Sequence, residues 1–161
     1  MIYRIRIILD CKEDVIRDIE IKETCSFEDL HLLIINYFNF NKGEMASFYL
    51  SNDDWKQGDE IMLESFEKNS SQMIMKNTNL NTIVNEKQKK FIYVYDFLKL
   101  WTFFIEIFEL SDEKKDTVYP KNIFSKGNLP KEAPEKQFIG EQKRNTYEDE
   151  NLDYTNFDDY Y

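Results

Sequence analysis

The alternation of apolar and polar side chains is clearest at the start of the chain. In Ile2–Leu9 every second residue is apolar, and Val15–Glu23 repeats the pattern after the short connection Asp10–Asp14. A period of two predicts β-strands, so we predict an antiparallel hairpin with one apolar face and one wetted face. On the wetted face, arginines of the first strand would meet acids of the second; these residues are Arg4, Arg6, Asp18 and Glu20.

A helical period follows this hairpin. Between Phe27 and Phe38 the apolar residues recur at intervals of three and four, which predicts an amphipathic helix. Ser26 has the residue type of an N-cap, and acidic residues follow it in the first turn. We expect the helix to end near Phe38–Asn41 and to pack across the apolar face of the hairpin.

The densest apolar run is Phe91–Leu110. Its aromatic and β-branched residues favour two strands, about Lys90–Asp96 and Leu100–Leu110, with a turn near Phe97–Lys99. Both faces of these strands look apolar. We therefore expect them at the centre of a sheet, covered on both sides or covered on one side and shielded by a tail on the other. Internal charges argue against a membrane span: Asp96, Lys99, Glu106 and Glu109.

The weaker patterns complete a fold class. Met45–Leu50 and Gly58–Leu63 read as strands, the second as an edge strand, and Leu80–Val84 as one helical turn. The sequence thus predicts an α+β fold with a mixed, mostly antiparallel sheet and one main helix packed on it. We divide the chain into an α+β domain at 1–110, an irregular proline-containing extension at 111–146 and an acidic-aromatic tail at 147–161 that we expect to be mobile.

Charge narrows the classes of partner. The 161 residues carry a formal net charge of −10, which disfavours direct, sequence-independent binding of nucleic acid and favours a basic partner. Tyr147–Tyr161 has six acidic residues and no lysine or arginine, with Tyr154 and Phe157 among its aromatics. This tail could hold a basic protein partner, mimic nucleic acid, fold back on an exposed sheet face or stay solvated.

The compartment is inferred from the N-terminus and the cysteines. The first residues lack the continuous apolar core of a signal peptide, so we expect a cytoplasmic protein that does not enter a membrane. Cys11 lies beside the turn of the predicted hairpin and Cys25 beyond its far end. Their separation, on the order of 33 Å, far exceeds the roughly 7 Å that a disulfide spans, and we expect two reduced thiols.

Each residue that could take part in catalysis or ligand binding also has a structural interpretation. His31, the single histidine, borders the helical apolar stripe, and we favour a hydrogen-bonded packing role over a nucleophile pair with Cys25. Asp96 could be a general acid or base, but we favour a turn carboxylate that accepts backbone N–H bonds. Trp55 and Trp101 could line a ligand groove with neighbouring tyrosines, although a core position is favoured. We predict no catalytic residue, metal ligand or cofactor.

Three segments together resemble the Ri-plasmid third-open-reading-frame family, also described as the MM3350-like domain and sometimes labelled as an element passenger that is resolvase-like. They are Tyr3-Arg4-Ile5-Arg6-Ile7 with Ile16-Arg17-Asp18-Ile19, Phe27-Glu28-Asp29-Leu30-His31 with Tyr37-Phe38-Asn39-Phe40, and Tyr93-Val94-Tyr95-Asp96-Phe97 with Trp101. The resemblance implies a helix-packed mixed sheet with a β-grasp-like start and implies no established activity. Leu98, Lys99 and Leu100 replace the family's usual glycine and acidic residues.

The most economical functional hypothesis is a non-enzymatic protein-interaction or binding module. The alternative is an accessory protein of a mobile genetic element that acts on or near nucleic acid, and an enzyme ranks third. The candidate ligand or partner surface comprises His31, Tyr95, Asp96, Trp101, Tyr154 and Phe157.

Overall fold

The computed structural model describes residues 1–65, 67 and 71–134. The strands are β1 Ile2–Leu9, β2 Ile16–Lys22, β3 Ala46–Leu50, β4 Glu60–Met62, β5 Met73–Ile74, β6 Lys90–Tyr95, β7 Trp101–Ser111 and β8 Lys121–Lys126. The helices are α1 Phe27–Tyr37, a 3-10 turn Met75–Asn77 and the single turn α2 Leu80–Ile83. These elements confirm the α+β class, with α1 as the main helix.

All eight strands of the described residues belong to one sheet in the order β5-β4-β3-β6-β7-β1-β2-β8. Every pairing is antiparallel except β4 with β5, so the sheet is mixed and mostly antiparallel, as predicted. The β6–β7 hairpin occupies the two central positions, which confirms the central placement expected for Phe91–Leu110. The expectation that β4 lies at an edge of the sheet is wrong, because β5 pairs with its outer side.

The start of α1 is fixed by hydrogen bonds between residues close together in the sequence. Ser26 Oγ accepts the backbone N–H of Asp29 at 3.0 Å, and Asp29 Oδ2 accepts the N–H of Ser26 at 2.9 Å. This reciprocal capping box satisfies two of the donors that a helix start leaves free. The carboxylate also lies at the positive end of the helix dipole. The chain leaving β2 is therefore turned into α1 at a defined residue.

The core lies between α1 and one face of the sheet, called here the inner face. Phe27 is fully buried and contacts Phe48 of β3 and Phe91 of β6 edge to face, with ring centroids 5.2 and 5.5 Å apart. Burying a phenylalanine contributes about 1.5–3 kcal/mol, and such ring pairs add roughly 0.5–1.5 kcal/mol. These contacts seat the start of α1 on the central strands.

Lys121–Lys126 differs from expectation, because this part of the extension 111–146 forms β8 rather than irregular chain. The prolines that obscured the strand flank it, and Pro120 stands immediately before its first residue, where a missing N–H interrupts no ladder. Gly127 ends the strand with φ 79°, and a Cβ there would lie 2.1 Å from the carbonyl oxygen of Asp14. The sheet therefore extends beyond residue 110, while the predicted tail at 147–161 lies outside the described residues.

Two expectations about environment can be compared with the structure. Cys11 and Cys25 are both free thiols in the structure. Within the described ranges, no helix is both long and apolar enough to cross a membrane.

Candidate functional site

The turn between β6 and β7 is organised by Asp96. Its carboxylate Oδ1 accepts the backbone N–H groups of Leu98 and Lys99 at 3.1 and 3.2 Å. Its own N–H donates to the Met45 carbonyl at 2.8 Å, and its carbonyl accepts the N–H of Leu100 at 2.6 Å. Asp96 has φ 64°, a left-handed conformation that aspartate adopts more readily than most residues. Its geometry is that of the turn carboxylate favoured from sequence.

The same turn carries apolar side chains into solvent. Leu98 is 95% exposed, while Phe97 and Leu100 are roughly half exposed. Leu100 adopts φ 57°, where the Cβ of an L-residue crowds the following carbonyl oxygen at a cost of about 1–2 kcal/mol. The hairpin tip is therefore an exposed, locally strained feature built on a rigid central pair of strands.

His31 and Tyr93 form a polar pair inside the core. His31 Nδ1 lies 2.6 Å from the Tyr93 hydroxyl oxygen, and both side chains are buried. Burial lowers the pKa of His31 from its usual 6.5 to about 4, because the cationic imidazolium is poorly solvated there. Burial, and secondarily Tyr95, raises the pKa of Tyr93 well above its usual value. Both rings are thus neutral at physiological pH and are matched to each other by a hydrogen bond.

Tyr95 and Trp101 close the inner face below the end of α1. The ring of Phe40 stacks on Tyr95 with centroids 4.7 Å apart and lies 5.3 Å from Trp101. The Tyr95 hydroxyl donates to the carbonyl of Asn41, and Trp101 is only 6% exposed. Trp101 thus has the core position favoured from sequence. The structure brings His31, Tyr95, Asp96 and Trp101 into one region, but His31 Nδ1, the Tyr95 hydroxyl and Asp96 Oδ1 each bond to neighbouring groups of the fold.

The other described candidates, Cys25 among them, show no activated group. Burial and the nearby Asp29 carboxylate raise the pKa of the Cys25 thiol, which is the opposite of what a nucleophile pair with His31 requires. Among the described residues, no cluster of three or more histidine, cysteine or acidic side chains could hold a metal ion. Tyr154 and Phe157 lie outside the described residues.

The opposite, outer face of the central strands is only partly covered. Trp55, which the sequence grouped with Trp101, lies there instead, with its ring centroid 5.0 Å from that of Phe104. Lys90 Nζ sits 5.2 Å from the Trp55 ring centroid and forms an ion pair with Asp53 at 3.1 Å. A shared groove of Trp55 and Trp101 is therefore ruled out, because the sheet separates the two side chains.

A second set of aromatic side chains crosses the β7-β1-β2-β8 half of the outer face. Phe108 is the extra residue of a β-bulge, and the guanidinium carbon of Arg6 lies 5.5 Å from its ring centroid. Arg6 donates two 2.8 Å hydrogen bonds to Asp18, whose partner on β8 is Phe124. We call this line of side chains, Phe108, Arg6, Asp18 and Phe124, the outer row. Its aromatic ends are 43% and 45% exposed.

The face of the opening hairpin that was expected to be wetted is drier than predicted. The predicted ion pairs are present: Arg4 Nε lies 2.7 Å from Glu20, and Arg6 pairs with Asp18. Asp18 and Glu20 are nevertheless buried. Arg6 covers Asp18 with two hydrogen bonds, and Arg4 bridges Glu20 and Glu109, the latter at 3.0 Å. The arginine side chains held in this way exclude water from the buried carboxylates.

The sequence interpretation missed the outer row, because it treated both faces of Phe91–Leu110 as equally apolar. Alternation along β7 separates buried Phe103 from partly buried Phe104, and this signal was available. The bulge that turns Phe108 outward and the pairing of β8 with β2 depend on distant segments. No local pattern encodes them.

Comparison with known proteins gives a fold and a family. The structure is similar to the crystal structure of the protein of unknown function MM3350 from Methanosarcina mazei Go1, with a TM-score of 0.71 and 19% sequence identity. The match covers 93% of this chain and 82% of that one. No curated protein matches the chain. The plasmid pRiA4b ORF-3-like protein model matches residues 1–151, which confirms the resemblance seen in the sequence, and the chain belongs to that family.

Proposed function

We propose that this protein is a non-enzymatic interaction module that binds another protein. The observation that carries the proposal is the outer row, in which Phe108 and Phe124 are held about half exposed on a rigid sheet. Aromatic residues and arginine are enriched in protein interfaces relative to the rest of the surface. The partner that fits this surface has an apolar patch rimmed by carboxylates, because Arg6 lies within the row and the lysines of β8 border it.

The fates of the candidate catalytic residues support a binding role over an enzymatic one. A general base must reach a substrate proton, yet His31 is buried against Tyr93. Asp96 uses its carboxylate to close a turn. In the described part of the chain, the side chains best suited to acid–base catalysis therefore stabilise the fold.

The acidic tail adds a second element to the proposal. Tyr147–Tyr161 carries six carboxylates without a lysine or arginine, which suits a basic patch on a partner. The free thiols Cys11 and Cys25 support a reducing compartment, and we place the protein in the cytoplasm.

A second candidate function is that of an accessory protein of mobile DNA. The family description, which names a plasmid reading frame, favours it. The net charge of −10 weighs against direct contact with phosphates, which requires a surplus of lysine and arginine. We therefore rank it second.

Affinity capture from native lysate tests the proposal. The tagged full-length chain should recover a discrete partner, and the double substitution Phe108→Ser with Phe124→Ser should abolish that recovery. Leu32→Ser is the matched control, because Leu32 is 46% exposed on α1, away from the outer row. This variant should recover the partner as well as the wild type does. Loss of recovery when the six tail carboxylates are replaced by amides would support a contribution from the tail.

The contrary outcomes are also specific. Equal recovery by the double variant and the control would remove the outer row from the proposal. Salt-sensitive DNA binding in a gel shift, with no captured protein, would replace it with the second candidate. Turnover in a hydrolase or nuclease screen would overturn both.

A further inference from the structure

Strand β8 leaves one edge of the sheet open. It is last in the sheet order and pairs with β2 on one side only, so no strand in the described part of the chain covers its other side. All six residues of Lys121–Lys126 are exposed. A free strand edge presents backbone N–H and C=O groups that can pair with another extended chain.

The other end of the sheet is built differently. There β5 has only two residues, Met73–Ile74, and runs directly into a 3-10 turn whose first residue, Met75, is buried. A short edge that turns into the core is one of the ways in which proteins block strand addition. Of the two ends of this sheet, β8 is therefore the one with the length to accept a further strand.

Charge distinguishes among the possible occupants of β8. Residues 114–131 contain five lysines and one aspartate, in a chain whose net charge is −10. Lys121 and Lys126 stand at the two ends of the strand. Antiparallel pairing of β8 with β8 of a second copy, centred on the strand, would place Lys121 opposite Lys126 of that copy. Like charges facing each other across strands are destabilising, so the edge disfavours a second copy.

The side chains between the lysines complete the recognition pattern. Ile123 and Phe124 are 39% and 45% exposed in the middle of the strand. Lys126 forms an ion pair with Asp14 at 3.1 Å, but both side chains are more than half exposed, so its charge still faces solvent. A matching strand would carry acidic residues at its ends and apolar ones between them.

We propose that the β8 edge binds an extended acidic segment of a partner protein as a ninth strand. The carboxylates of that segment lie beside Lys121 and Lys126, and its apolar side chains lie beside Ile123 and Phe124. The inference rests on the proposed interaction function and adds the chemistry and conformation of the partner.

The test uses the full-length chain and a capped six-residue peptide with glutamate at both ends and alternating valine and threonine between them. Amide NMR should show saturable shifts at β8, including Ile123 and Phe124, and slowed hydrogen exchange at the β8 amides that point away from β2. Lys121→Glu should weaken binding about fivefold or more, because one attractive cross-strand pair becomes repulsive. Lys99→Glu makes the same charge change at the exposed β6–β7 turn and should leave binding unchanged.

A peptide with lysine at both ends provides the reciprocal control. It should bind the wild-type chain more weakly than the acidic peptide and gain affinity in Lys121→Glu. Equal binding of the two peptides, or shifts that avoid β8, would overturn the inference. Protection, in the free chain, of the β8 amides that point away from β2 would overturn it as well, since the edge would then already be occupied by the chain itself.

The two proposals fail separately. If capture from lysate depends on Phe108 and Phe124 but the acidic peptide does not bind β8, the interaction function stands and the strand-addition mode is wrong. If the peptide binds β8 but the outer-row variant captures the same partner as the wild type, the edge inference stands and the outer row is not the interface.

Discussion

The inner and outer faces of the β6–β7 hairpin carry similar aromatic side chains but differ in how far the rest of the fold covers them. On the inner face, Tyr93 and Phe103 are fully buried, and the Tyr93 hydroxyl meets His31. On the outer face, Phe104 is partly covered by Trp55, and Phe108 is bordered by Arg6 but remains about half exposed. The inner face is a fully packed core, whereas the outer face leaves aromatic surface exposed to solvent.

The difference shows why aromatic density did not locate the candidate site. Candidates chosen from the motif around Tyr95 and Asp96 were the ones whose polar groups the fold itself uses. The residues left available are those that a bulge or an edge strand places outside α1's reach, such as Phe108 and Phe124. A surface for a partner is therefore identified here by incomplete coverage and not by residue type.

Truncating one aromatic on each face gives the largest expected effect. Trp101→Ala should lower the free energy of unfolding by about 3–5 kcal/mol, because it leaves a cavity beside Phe40. Phe108→Ala should cost less than about 1 kcal/mol, since the ring is 43% exposed and its partner Arg6 keeps its bonds to Asp18. Urea unfolding at pH 7 measures both. Similar losses for the two variants would mean that the outer ring is as fully packed as the inner one.

Much of this fold could be predicted because its elements are specified locally. The period of two in β1 and β2, the Ser26 cap and the turn at Asp96 all depend on residues a few positions apart. Strand order depends on contacts between distant segments, and β8 pairs with β2 across about a hundred residues. The prolines that border β8 also remove the local pattern that would have revealed it.

The candidate site divides in the same way. The hydrogen-bonded role favoured for His31 and the turn role favoured for Asp96 agree with the structure, since burial and bends have local signatures. The position of Trp55 had none, because this residue lies outside the strands, with φ 57°, and reaches the outer face through the fold of its loop. Sequence reasoning could assign roles to single residues but could not say which face a loop would cover.

The polar pair of the inner face makes a pH-dependent prediction. His31 has a native pKa of about 4, and an unfolded histidine titrates near 6.5, so below pH 6.5 the unfolded state binds a proton that the native state refuses. The contribution of this histidine is therefore complete above about pH 6.5 and is lost as the pH falls toward 4. Between pH 7 and 4.5 the free energy of unfolding should fall by roughly 2–3 kcal/mol.

His31→Gln isolates that effect, because glutamine can bond to Tyr93 without titrating. The sequence contains no other histidine, so the difference between the two pH profiles reports on this residue alone. The variant should be less stable than the wild type at pH 7 but should lose less stability between pH 7 and 4.5. Parallel profiles from chemical denaturation would mean that His31 takes up a proton at the same pH in the native and unfolded states, and would contradict a closed inner face.

The polar pair of the outer face should respond more weakly. In Arg6→Met, Asp18 would keep a nearly buried carboxylate without its cation, which we expect to cost about 1–2 kcal/mol. The effect is smaller than for a fully buried pair because the Arg6 side chain is 44% exposed and water screens the charges. Lys22→Met is the control, since its pair with Glu113 is about half exposed on both sides and should contribute less than about 0.5 kcal/mol. Equal losses of unfolding free energy in urea would mean that Asp18 is solvated after all, and the outer row would then be a loose surface rather than a preorganised one.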